Sequence, residues 1–260
     1  MRRFFYDTFG EYLKEKGIKK IDFILKDNKS LSKRGLDERV ANQLQLISEF
    51  HANSCGFNGY LKRRINNDTC KLVEEYKVQI KRFSKQMETI KKAGPKNEFE
   101  KVLAFNGDKY LKRAEECMNY IYSSNYMDLI SRSMKNAEVC LSDVGFDNLD
   151  KGETLEIVNF YDIAYNMVEM DAYYLLSKLK RKGANLNWEK HVKKFCELEK
   201  LDNNSERFIL AMLWYPHEFM KIYDKYRKNK KNWSDKEYSN KLIKAMEEDG
   251  FSLIGEVEQW

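Results

Sequence analysis

Residues 140–149 read CLSDVGFDNL, and IVNFYD follows at 157–162. The first stretch holds an acid, Asp143, and an amide, Asn148, five positions on; the second places another amide, Asn159, inside an apolar segment. Two readings of these residues stand side by side: a polar turn between two strands, or what remains of a metal-and-phosphate site. The hydrophobic period changes here. EVCLS and TLEIVNF read as two short strands joined around LDKGE, with Gly152 at the turn.

On both sides of this element the period is helical. From Leu36 onward, Val40, Leu44, Ile47 and Phe50 or His51 line one face. Over about 69–92, Leu72, Val73, Tyr76, Ile80, Phe83, Met87 and Ile90 recur at steps of three and four, and Ala-Gly-Pro at 93–95 ends the run. A helix over about 97–123 turns Phe99, Leu103, Tyr110, Ala114, Cys117 and Ile121 inward, and a shorter one follows near 127–136. Beyond the β element, helices are predicted at about 165–182, 187–199, 203–228 and 234–248. Before Leu36, residues 4–13 suit a short helix that docks on the core through Phe4, Phe5, Phe9, Tyr12 and Leu13. Arg2 and Arg3 beside it raise a membrane-surface role as the alternative. IDFILK, 21–26, reads as a strand closed by DNKS. The predicted architecture is mainly α with one small β-hairpin.

Composition agrees. The 260 residues are 42% hydrophobic and 34% charged, with 2 prolines and 12 glycines, which suits a globular chain of long helices rather than a loop-rich scaffold. A net charge of +6, from 47 basic and 41 acidic residues, is too mild to argue for nucleic acid. The five cysteines, Cys55, Cys70, Cys117, Cys140 and Cys196, form no CxxC pair and no cluster with histidine, so reduced thiols in a cytosolic setting are expected, and no zinc. The apolar run at the N-terminus stops at Tyr6, short of a secretory core. The longest apolar run, FILAMLWY at 208–215, is far below a membrane span, so no integral membrane association is expected.

Three further segments carry a resemblance. ERFILAMLWYPHEFMKIYDKYRKNKKNWSDKEYSNKL resembles the end of CotS-type spore-coat proteins, which belong to the aminoglycoside phosphotransferase and choline kinase branch of the protein-kinase-like fold. LISEFHANSCGF resembles that family's helix in which Glu-Phe-His precedes a Gly-aromatic pair, and EMDAYYLLSKLKRKG resembles its aspartate-bearing helix. The resemblance covers roughly residues 38–250. It implies a helical kinase-like C-terminal lobe over 36–260 and a strongly reduced N-terminal segment, a short helix plus a strand, over 1–35.

On this resemblance CLSDVGFDNL falls at the catalytic loop His-Gly-Asp-x-x-x-x-Asn. Asp143 and Asn148 keep their spacing, while Leu141 and Ser142 stand where the histidine and glycine would be. Val158-Asn159-Phe160-Tyr161 falls at the metal loop, with Asn159 in place of its first aspartate, and Asp171 matches the structural aspartate of the next helix. Phosphoryl transfer is mostly positioning and neutralisation by Mg²⁺, which takes hard anionic oxygens; an amide at 159 removes a full charge. About 35 residues before α-helical Leu36 are too few for a five-stranded lobe. Gly10, Gly17 and Gly35 stand alone, and Lys26 lies too near the following helix to serve as the ATP-strand lysine.

The expected function is therefore a catalytically degenerate, pseudokinase-like binding or scaffold component. It would need no cofactor and would work with a protein partner, and the resemblance points to the spore coat and sporulation. The alternative is a divergent small-molecule phosphotransferase with Asp143 as the catalytic residue, Asn148 and Asn159 on the metal, and ATP and Mg²⁺ as cofactors. KYRKNKKNWSDK, 225–236, raises nucleic-acid binding as a third reading, against a solvated helix end with Tyr226 and Trp233 packed beneath it. His51, His191 and His217 lie far apart in sequence and form no evident triad. His51 is expected to pack or cap at the end of its helix, and His217 to sit at a kink after Pro216.

Overall fold

Phe5 and Tyr6 are the first paired residues, and they delay the first helix. In the computed structural model, which describes residues 4–24 and 33–250, the chain begins β1 (Phe5–Tyr6), α1 (Phe9–Glu15), β2 (Lys19–Lys20), α2 (Lys33–Ser54), β3 (Tyr60–Leu61) and β4 (Asn66–Asn67). It continues α3 (Lys71–Ala93), α4 (Glu98–Ser123), α5 (Tyr126–Lys135), β5 (Val139–Cys140), β6 (Leu149–Lys151), β7 (Leu155–Ile157) and β8 (Ala164–Tyr165). The remainder is helical: α6 (Glu169–Arg181), α7 (Trp188–Glu199), α8 (Asn203–Trp214), α9 (His217–Arg227) and α10 (Asp235–Asp249). Among the described residues the chain is mainly α with few, short strands, as its periodicity predicts. No helix among the described residues is long and apolar enough to cross a membrane.

Two compact units arise. One gathers the described residues up to Cys70 with Ser124–Leu179 and Ala184–Leu210; the other gathers Lys71–Ser123, Lys180–Gly183 and the described residues from Ala211 onward.

The first unit carries three small sheets, β1–β3, β2–β7–β6 and β4–β8–β5. In α2, Val40, Leu44, Ile47 and Phe50 are fully buried, four apolar side chains on one helical face. Each contributes about 1.5–3 kcal/mol of transfer free energy, which outweighs the neutral propensity of a helix rich in polar residues. Asn187 caps α7 by accepting the Lys190 N–H at 3.0 Å.

In the second unit, α3 buries Val73, Tyr76, Phe83, Met87 and Ile90, and α4 buries Phe99, Leu103, Ala114, Cys117 and Ile121. A Cβ on Gly107 would lie 2.4 Å from Met87 Sδ, so the missing side chain is what lets α3 and α4 approach there. Tyr76 stacks on Tyr215 with ring centroids 3.6 Å apart, and Tyr110 on Phe219 at 4.2 Å. Asp249 closes the unit: its carboxylate accepts the first N–H groups of α9, from Glu218 at 3.0 Å and Phe219 at 2.8 Å. Arg113 and Lys180 donate to the Asp249 carbonyl, each at 2.9 Å. Ser234 and Glu237 start α10 with a reciprocal capping box.

Several boundaries differ from the sequence reading, each for a visible reason. The helix expected over 4–13 starts at Phe9, because the backbone of 4–6 pairs with 60–62. The strand expected at 21–26 is found at Lys19–Lys20, with the Ile21 N–H adding one bond to the Ile157 carbonyl; residues 25 and 26 lie outside the described residues. EVCLS and TLEIVNF do not pair. The hairpin is β6 with β7 around Gly152, while Val139–Cys140 pairs with Ala164–Tyr165, which also delays α6 to Glu169. The helix expected over 203–228 breaks into α8 and α9 at Tyr215–Pro216, since proline cannot supply the N–H that continuity needs.

Candidate active site

The loop 141–149 is held from three sides. Asp171, fully buried in the first turn of α6, accepts the Leu141 N–H with Oδ2 and the Ser142 N–H with Oδ1, both at 2.8 Å. Ser142 sits in the left-handed region at φ 68°, a conformation that costs a non-glycine residue energy and that the Asp171 bond fixes. From α2, Gln43 donates Nε2 to the carbonyls of Val144 and Leu149, each at 3.0 Å. Arg39 lies over the Phe146 ring at 4.4 Å from its centroid.

Asn148 then ties this loop to the next. Its Nδ2 donates to the Asp143 carbonyl at 2.7 Å and the Asn159 carbonyl at 3.2 Å, and its Oδ1 accepts the Asn159 N–H at 2.8 Å. Asn159 Oδ1 in turn accepts the Tyr161 N–H at 2.8 Å. The three residues singled out in the sequence, Asp143, Asn148 and Asn159, are thus brought into one place. The Asp143 carboxylate lies 3.6 Å from Lys178 Nζ, and Asp147 lies 3.8 Å from the same ammonium. Phe160 packs towards α1: a Cβ on Gly10 would sit 3.4 Å from Phe160 Cδ2, so the N-terminal helix lies directly against the loop that carries Asn159.

This donor set suits Mg²⁺ poorly. The two amide oxygens are neutral and each already accepts a backbone N–H, while the loop's own carboxylates, Asp143 and Asp147, both face Lys178. Mg²⁺ dehydrates reluctantly and takes anionic oxygens in near-octahedral array.

Behind the loop is a charged network that the sequence did not announce. His51 is buried, with Nε2 3.0 Å from Asp171 Oδ2 and Nδ1 2.8 Å from Glu199 Oε1. Burial opposes its charge, but the bonds to Asp171, Cys140 and Glu199 prevail and hold its pKa well above the usual value. Burial, with the Asp171 charge, pushes the Cys140 thiol up, and its sulfur donates to the Met167 carbonyl at 3.0 Å. His51, Cys140 and Asp171 therefore converge as a satisfied hydrogen-bond network. The adjoining cleft of about 430 Å³ is lined by His51, Arg132, Glu138 and Glu199, whose ionic groups are already paired.

Lys178 was missed, although it lies on the helix of Asp171 two turns on, a spacing that shares one face. Gln43 and Glu199 had no comparable signal. The candidate Lys26 lies outside the described residues. In the 225–236 stretch, Tyr226 stacks on Phe99 at 4.0 Å, and the Trp233 ring is approached by Lys225 at 5.8 Å and Lys241 at 4.4 Å, so both aromatics are engaged.

No family model and no curated protein matches this chain. Among solved structures it is similar to an aminoglycoside phosphotransferase from Alicyclobacillus acidocaldarius subsp. acidocaldarius, with a TM-score of 0.69 and 14% identity over 96% of this chain and 80% of that one. The chain has the kinase-like fold of that phosphotransferase.

Proposed function

We propose that this chain is a kinase-like protein without phosphoryl-transfer activity that serves as a binding or scaffold component for a protein partner. The observation that carries the reading is at Asn148 and Asn159. Both amide oxygens, which on the sequence resemblance fall at metal-binding positions, accept backbone N–H groups and bring no negative charge. Their present work is to hold two loops together. The resemblance of residues 38–250 to CotS-type proteins supports a place for that role in spore-coat assembly.

A divergent phosphotransferase acting on a small hydroxyl or amine substrate is the second reading. What favours it is the intact loop. Asp171 and Asn148 still shape the backbone around Asp143, whose side chain is 37% exposed and could orient a hydroxyl nucleophile.

Thermal denaturation with and without millimolar Mg-ATP separates the two, alongside an Asp143→Asn variant. A ligand at 100-fold over its Kd stabilises by about 2.7 kcal/mol, a rise of roughly 5–10 °C for a chain of this length. The scaffold reading expects no shift. A Mg-dependent shift that Asp143→Asn alters would overturn it in favour of the phosphotransferase.

A further inference from the structure

The 225–241 region and the β1–β3 ladder each place several cations beside aromatic rings. In the 225–241 region the rings are occupied, as described above. At the β1–β3 ladder they reach solvent: Phe4 is 56% exposed, Phe5 77% and Tyr60 44%. Phe5 and Tyr60 stack on each other with centroids 5.1 Å apart.

The ladder that displays them is fixed. Tyr60 donates its N–H to the Phe4 carbonyl at 2.9 Å, Lys62 to Tyr6 at 3.0 Å and Arg63 to Asp7 at 3.0 Å. Tyr12 packs edge to face on Tyr6 at 5.6 Å and on Phe57 at 4.8 Å. Conformational entropy has therefore already been lost before any partner arrives. The strand that brings Tyr60 continues as Lys62, Arg63 and Arg64, three consecutive exposed cations. Asp7 approaches Lys62 to 3.8 Å with both side chains largely in solvent. Such a surface pair contributes little and leaves the cations available.

We propose that this tip docks on an anionic lipid surface, with Phe4, Phe5 and Tyr60 at the headgroup boundary and Lys62, Arg63 and Arg64 against lipid phosphates and carboxylates. Aromatic rings flanked by cations match that boundary, where an amphipathic body is solvated at one end and buried at the other. Charge complementarity selects the occupant: the patch is cationic, and juxtamembrane cations are drawn to acidic leaflets. A strand-adding peptide fits less well, because each strand offers two residues, too few for a register to be read. The inference is independent of whether the loop around Asp143 transfers phosphate.

Co-sedimentation of the full chain tests it, using vesicles of phosphatidylcholine alone and vesicles with about one lipid in four replaced by phosphatidylserine. Binding is expected to the second and not the first, and to weaken with salt. Arg63→Ala with Arg64→Ala should lower the partition coefficient roughly thirtyfold, and Phe5→Ser should lower it as well. Lys230→Ala with Lys231→Ala, in the other cationic region, should leave it unchanged. The substituted side chains are exposed, so an unchanged melting temperature verifies folding. No binding to the acidic vesicles would overturn the proposal, and would be the outcome if the tip serves an acidic protein. Equal binding to both compositions, or a loss in the lysine pair as large as in the arginine pair, would overturn it too.

Discussion

Asn148 Oδ1 accepts the backbone N–H of Asn159 at 2.8 Å, so the loop that carries Asp143 and the loop that carries Asn159 form one hydrogen-bonded body. With its two donated bonds, the Asn148 side chain satisfies three backbone groups from a position that is almost fully buried.

Asn148→Ala would leave those groups without partners in a buried setting. Each lost bond of this kind costs on the order of 1 kcal/mol, more where no water can enter. A destabilisation of about 2–4 kcal/mol is expected in urea denaturation, with the slope unchanged. A loss below about 0.5 kcal/mol, the range of ordinary surface substitutions, would mean that the clip is not structural.

Asn159→Asp restores the carboxylate that the resemblance places at this position. The new side chain keeps an oxygen for the Tyr161 N–H, so stability without metal should change little. A full charge beside Asn148 should make the melting temperature of the variant rise with millimolar Mg²⁺, whereas that of the parent chain does not respond. Melting curves of both proteins with Mg²⁺ and with a chelator check this, and a parent chain as responsive as the variant would contradict it.

How much of this site was legible follows from the range of each interaction. Asp143, Asn148 and Asn159 could be found because a loop motif fixes them within twenty residues of one another. The helices of α2, α3 and α4 could be found because burial of Val40, Leu44 and Ile47 or of Phe83, Met87 and Ile90 writes a period into the chain. Short strands write none. Lys19–Lys20 pairs with β7 through its backbone while both side chains are exposed, so nothing in its composition distinguishes it. The Phe23 of IDFILK, which suggested a strand, is 68% exposed. His51 met its partners across separations of 120 and 148 residues, which no local pattern can encode.

His51 gives a pH signature with a definite sign. Its folded pKa is raised, so the native state binds a proton more tightly than the unfolded chain. Its contribution is fully present below the unfolded value of about 6.5 and is lost as pH rises through the folded value. His51→Gln keeps a polar side chain and removes the titration. The stability difference between parent and variant should therefore shrink as urea denaturation is repeated from pH 6 upward, and a difference independent of pH would contradict the charged state of His51.

Asp249 behaves in the opposite way to a salt-bridged acid. Burial raises its pKa to about 6, although the N–H groups of Phe219 and Glu218 and the charges of Arg113 and Lys180 pull it down. Between the ordinary 3.8 and about 6 the native state binds the extra proton, so the contribution of this group falls as pH rises across that window. A shift of this size amounts to roughly 3 kcal/mol. Asp249→Asn retains an acceptor for α9 and has nothing to titrate. Relative to the variant, the parent chain should lose stability between pH 4 and pH 6.5; a gain across that interval would reverse the assignment.

The cysteines provide a test that needs no substitution. Cys117, Cys140 and Cys196 are buried, whereas Cys55 and Cys70 are partly accessible. Burial is the leading cause that pushes the Cys117 thiol up to about 12 and raises Cys140 and Cys196 strongly as well, and attack on an alkylating reagent requires the thiolate. Cys55 is slowed for the same reason, since burial raises its pKa despite the nearby His51 charge. Brief treatment of the native protein with iodoacetamide at pH 7.5, followed by peptide mapping, should find Cys70 labelled first, Cys55 more slowly, and the other three only after denaturation. Native labelling of Cys140 at a rate matching Cys70 would show that the network of His51 and Asp171 opens to solvent, and the loop around Asp143 would then lose the rigid support on which the candidate site rests.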